Sequence, residues 1–226
     1  MSFIAVSSAS AAPLEGNPLF RSTGSFPYLV IGTSGPSVLR SDNGLGLTWC
    51  EKDLFHGFVL SSLLIGNAFF HYLNCIWLLG PQGEGTAKAA NGCAANSAGT
   101  TGGLILTNTL HGILGLILPS EKIGILFLPA SGKTFVTFAR STNTAKEQCS
   151  EESAVTGSIA ALVTPTGSLQ TTGKAIAGLT NGFQNILDID LTHGLGLVKP
   201  ALNVFSTAAG LEQEDNVTYT NETEVT

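Results

Sequence analysis

Between Leu54 and Gly80 the chain runs for 27 residues without an Asp, Glu, Lys or Arg. A stretch so long and so uncharged either crosses a membrane or lies in a protein core. A spanning helix needs about 20 apolar residues, so the length suffices. The detail argues for a core. His56, Asn67, His71 and Asn74 interrupt the run, as do Gly57 and Gly66, and ionisable groups inside a bilayer are rare and costly. Glu51-Lys52-Asp53 precedes it, and no Lys or Arg cluster follows to fix an orientation. A second run, 103–118, spans only 16 residues and carries Thr, Asn, His and Gly. Membrane insertion is therefore not expected.

Read as core, these runs break into strand-length pieces at Gly, Asn, Ser and Pro. They cover Phe55–Leu60, Leu63–Ile65, Ala68–Leu79, Gly103–Thr107, Gly112–Leu118, Ile123–Leu128 and Thr134–Ala139. Residues 124–138 read as strand, turn, strand, with Pro129 early and Gly132 late in the turn. Val155–Val163 reads as one strand closed by Thr164-Pro-Thr-Gly167. Leu187, Ile189 and Leu191 alternate with Asp188, Asp190 and Thr192, the period of a half-buried antiparallel strand. Asn216–Val225 alternates in the same way, and Thr180-Asn-Gly-Phe183 carries a hairpin signal. No capped amphipathic helix stands out, and Phe69–Leu79 is the best candidate for one. The expected fold is all-β and antiparallel, a disulfide-containing sandwich or barrel formed by residues 13–226.

Only 12% of the residues are charged, against about 25% in ordinary domains. The formal charge is −6 and no basic run exists, which excludes nucleic acid as a partner. Residues 1–12 resemble part of a secretory signal peptide: an apolar start, then small residues with an Ala9-Ser-Ala11 pattern. Cys50, Cys75, Cys93 and Cys149 make an even set, which in an exported chain suggests two disulfides. Three pairings are open. The Gly- and Ala-rich loop between Cys75 and Cys93 favours bonding those two, leaving Cys50 with Cys149. No two cysteines lie within four residues of each other, so zinc is not expected.

Candidate chemistry is sparse. Ser131-Gly-Lys-Thr134 resembles the end of a phosphate-binding loop, but the required upstream glycine is Phe127 and a strand follows in place of a helix. Gly99-Thr-Thr-Gly-Gly103 reads as a loop end, with close approach to a ligand as the alternative. His56, His71, His111 and His193 show no metal-ligand spacing, and His-Gly at 56, 111 and 193 reads as a strand end. Asp188 and Asp190 on one strand face suit a glycosidase or calcium, or simply a solvated face. No G-x-S-x-G elbow surrounds any Ser. Asn216-Val-Thr and Asn221-Glu-Thr fit the glycosylation sequon.

Three segments carry a resemblance: Ala98-Gly-Thr-Thr-Gly-Gly-Leu-Ile-Leu-Thr107 and its continuation, Ile123–Phe138, and Val155-Thr-Gly-Ser-Ile-Ala-Ala-Leu-Val-Thr-Pro165. With them the chain resembles uncharacterised secreted Thr/Gly-rich β proteins of soil actinobacteria, over about residues 12–226. It departs from them at Lys52–Asp53 and 140–148, which read like insertions at strand ends. The resemblance implies export, β-structure and disulfides, and no reaction.

The function expected is that of a secreted or envelope-associated, non-enzymatic structural protein, self-assembling through strand edges. A barrel that binds a hydrophobic ligand is the second reading, and a hydrolase using Asp188 and Asp190 the third. No cofactor is expected.

Overall fold

The alternation read along the chain resolves into strands with one face turned inward and one outward. The structure, a computed structural model, describes residues 18–41, 46–79, 92–140, 149, 151–181, 183–191, 196–204 and 206–226. The segment 1–12, His193, Gly182 and 141–148 lie outside the described residues. Eight strands form a closed antiparallel barrel: β1 (Tyr28–Ser34), β2 (Lys52–Val59), β3 (Leu64–Leu73), β4 (Leu110–Ile117), β5 (Lys122–Pro129), β6 (Ile159–Thr164), β7 (Gln170–Ala177) and β8 (Thr207–Val225). Each pairs with the next in chain order, and β8 pairs back onto β1. This is an up-and-down barrel, in which every barrel strand has a partner on both sides.

Shorter strands continue several barrel strands beyond a bend and build a second sheet. Its order is Cys93–Ala94, Ile76–Leu79, Gly46–Cys50, Ser37–Ser41, the first part of β8, Leu202–Val204, Glu151–Gly157, Thr134–Arg140. The two ends of this sheet approach each other. Ala95 N–H donates to the Cys75 carbonyl at 3.0 Å, and Ala139 N–H to the Asn96 carbonyl at 2.7 Å. One hydrophobic core runs through both parts, from Phe55 and Phe70 in the barrel to Phe138 and Leu202 in the second sheet.

Inside the barrel, Phe55, Phe70 and Phe127 from β2, β3 and β5 meet with ring centroids 4.9–5.6 Å apart, in tilted and edge-on arrangements that suit aromatic quadrupoles. Gly112 makes room for them: a Cβ there would sit 2.9 Å from the Phe127 ring. Outside, Ile186, Ile189 and Leu191 pack over Ile117, Leu126 and Ala160. The chain thus covers the apolar outer face of β4–β6 with its own segment.

Several expectations change. Phe69–Leu79 is no helix; it is the end of β3, a bend at Asn74, and the strand Ile76–Leu79. Cross-strand pairing satisfies its backbone, and period-two burial decides it. The pieces flanking the Pro129–Gly132 turn are both strands, but they do not form a hairpin. The first stays in the barrel between β4 and β6, and the second pairs with Glu151–Gly157. Val155–Val163 divides at Gly157, whose φ is 105°. Of the strand expected over 187–192, Ile189–Leu191 is formed, Leu187 is 65% exposed, and Thr192 lies outside the described residues. The hairpin at Asn181 is present, pairing Thr180 with Phe183.

All four cysteines are in disulfides, but the pairing is Cys50–Cys75 and Cys93–Cys149. Topology is the reason. Trp49 pairs with Ile76 across the second sheet, which sets Cys50 beside Cys75 with Cα atoms 4.0 Å apart. Cys93 then faces Cys149, with Cα atoms 5.3 Å apart.

Candidate functional site

Two features stand apart from ordinary barrel packing: a chain of polar side chains buried where the barrel meets the second sheet, and an aromatic outer wall over β1–β3. Parity along the strands creates the first. On β8, Val217 and Tyr219 point inward, so Asp215 and Gln213 do too, while Glu212, Glu214 and Asn216 point out. On β2, Phe55, Gly57 and Val59 point inward, and Asp53 with them. Asp53 is 0% exposed and Asp215 5%.

These groups form one connected chain. Ser34 at the end of β1 donates to Asp53 Oδ2, and Asp53 N–H donates to Ser34 Oγ at 3.2 Å. Tyr72 OH donates to Gln213 Oε1 at 2.9 Å, and Gln213 Nε2 donates to Asp215 Oδ2 at 2.6 Å. Asp53 Oδ1 and Asp215 Oδ1 are buried and receive no N–H or hydroxyl donor, and the two carboxyl groups lie within hydrogen-bonding reach of each other. A proton held between them satisfies both. Burial holds both carboxyls above the usual range. Asp215 is raised furthest, because the Asp53 charge beside it adds to its burial. The two carboxyls thus titrate as a pair that shares one proton. Burial and the same two carboxyls push the Tyr72 phenol well above its ordinary value.

Three cavities of about 20–30 Å³ occur among the described residues, and two of them touch Asp215. Each has room for about one water. None approaches the roughly 300 Å³ of a small-molecule site.

The outer wall is the second feature. Leu29, Ile31, Leu54, His56, Phe58 and Phe69 share the outward face of neighbouring strands. His56 stacks on Phe69 at 4.9 Å, Phe69 on His71 at 5.0 Å, and Phe58 meets His56 edge-on at 5.3 Å. Ile31 and Leu54 are 44% and 43% exposed. The outward-facing residues of β2 and β3 thus reach the surface and their inward-facing ones lie in the core, whereas Trp77 and Leu78 further along the run are both buried.

The remaining candidates fall elsewhere. Asp188 faces Lys199 Nζ at 3.6 Å, and Asp190 sits in the ladder between Leu116 and Leu197. His56-Gly57 lies mid-strand, not at a strand end, and His111 is the second residue of β4. Gly103 packs its backbone on Cys75, whose N–H donates to the Gly103 carbonyl at 2.8 Å. Ser131–Lys133 form a turn, with Gly132 at φ 67°. Asn216 is exposed on β8. Among the described residues, no group of three or more His, Cys, Asp or Glu is placed to hold a metal, and no helix is long and apolar enough to cross a membrane. No protein-family model, curated protein or solved structure matches this chain.

Proposed function

We propose that this is an exported, non-enzymatic structural protein that associates with further copies of itself through the β1–β3 wall. The observation that carries this reading is the uncovered aromatic wall. The chain shields its other apolar outer face with Ile186, Ile189 and Leu191, and none of the described segments lies over this one in the same way. Barrel closure gives the eight strands partners on both sides, so association through their edges loses its basis. An apolar, aromatic face with Lys52 at its margin takes over that role. With a net charge of −6, two copies repel over much of their surface, and contact is least opposed where acidic residues are absent. Two disulfides fit an oxidising compartment. The cavities seen among the described residues are water-sized, and Asp188 faces Lys199.

Sedimentation velocity tests the proposal. The wild type should show concentration-dependent association, and the double variant Ile31→Glu/Leu54→Glu should sediment as a monomer with unchanged circular dichroism. A wild type that stays monomeric at its highest soluble concentration overturns it.

A further inference from the structure

The buried polar chain lies where strands leave the barrel for the second sheet. Ser34 ends β1, Asp53 is the second residue of β2, and Tyr72 is the last but one of β3. Gln213 and Asp215 follow the stretch of β8, Ala209–Glu212, that pairs with Ser41–Val38 in the second sheet. Five side chains from four strands thus close one network at the junction. With one proton between the carboxyls, each buried polar atom of the network has a partner. Without it, the Asp53 and Asp215 carboxylates confront each other as two buried charges. The cavities beside Asp215 are about 20 Å³ each and lined mostly by Phe, Val, Ile and Ala, so they offer no hydration shell to a second charge.

We propose that the Asp53–Asp215 pair is a proton-operated lock on the junction: closed while the pair holds its shared proton, loosened when that proton leaves. The surroundings make the pair the responding element. From β3 the titratable group facing it is Tyr72, donating to Gln213. From β7, Lys174 flanks Ala175, the register partner of Asp215, but its ammonium is engaged with Glu214 on the surface. From β1 comes Ser34, and on β2 the neighbouring Lys52 and Leu54 point outward. Across the interior stand Phe70, Phe127 and Leu211. No cation compensates a second ionisation from any of these.

The sign follows from linkage. In the unfolded chain both carboxyls ionise near pH 4. Folding raises both, Asp215 most. The stability they contribute is full below about pH 4 and is lost as pH climbs through the raised folded values. The lock is therefore closed in acid and opens towards alkaline pH.

The test compares thermal midpoints from pH 4 to 9 for the wild type and Asp215→Asn. In the variant, the amide N–H supplies permanently what the proton supplied to Asp53, and its oxygen still accepts from Gln213. The wild-type midpoint should fall by several degrees more than that of the variant, whose profile should flatten. Parallel profiles overturn the proposal. If Asp215→Asn fails to fold, Asp53→Asn tests the same bridge with donor and acceptor exchanged. A carboxyl-carbon NMR titration of the wild type needs no variant: two ordinary carboxylate titrations at these positions would refute the lock, and one displaced to higher pH supports it.

Discussion

Removing the two disulfides should cost this fold about half or more of its stability. Cys50–Cys75 closes 25 residues and Cys93–Cys149 closes 56. The two loops follow one another along the chain without overlap, so their entropic effects on the unfolded state add. The chain-entropy relation gives about 3.5 kcal/mol for the shorter loop and about 4 kcal/mol for the longer. Their sum, about 7–8 kcal/mol, is comparable with the ~5–15 kcal/mol that a folded domain possesses in total. The assay is urea unfolding of the Cys50→Ala/Cys75→Ala and Cys93→Ala/Cys149→Ala pairs and of the quadruple variant. Each pair should lose stability, the quadruple variant should be marginal, and m should rise as the unfolded chain expands. A quadruple variant that loses less than about 3 kcal/mol would refute the reasoning, since the unfolded chain would then be compact without its crosslinks.

Two further substitutions probe the junction. Tyr72→Phe deprives Gln213 Oε1 of its donor and should cost about 1–3 kcal/mol in denaturant unfolding; a neutral result would mean that water replaces the hydroxyl. Gly103→Ala should destabilise by more than about 1 kcal/mol, because φ is 78° there and a Cβ would lie 2.6 Å from the Cys75 nitrogen. A thermal midpoint equal to the wild type would contradict that geometry.

The all-β class and the alternation of β8 over Asn216–Val225 are legible in the sequence because one face of each strand is apolar and the other polar. The buried carboxyls are harder to see. Asp53 stands in a Glu-Lys-Asp triplet that looks like a charged flank, and Asp215 stands in an acidic run. The signal is parity. Counting back by twos from Val217 and from Phe55 places both inward, against their hydrophilicity. That they meet depends on β1 bringing β2 and β8 together from opposite ends of the chain, which no local pattern encodes. The disulfide pairing is hidden for the same reason: it follows from Gly46–Cys50 lying beside Ile76–Leu79. The Pro129–Gly132 turn misleads because tight-turn residues also serve a chain that leaves one sheet for another.

β8 follows every other strand in sequence, yet with 19 residues it pairs with β7 and β1 in the barrel and with Ser37–Ser41 and Leu202–Val204 in the second sheet. Neither sheet can be completed before it emerges from synthesis. Its ladder with β1 joins residues separated by nearly the whole chain, such as Val30 and Tyr219, and such distant pairing forms slowly. Until then the chain stays open and threadable, with unpaired edges on β1 and β7. Those edges are where a stalled or truncated copy would aggregate.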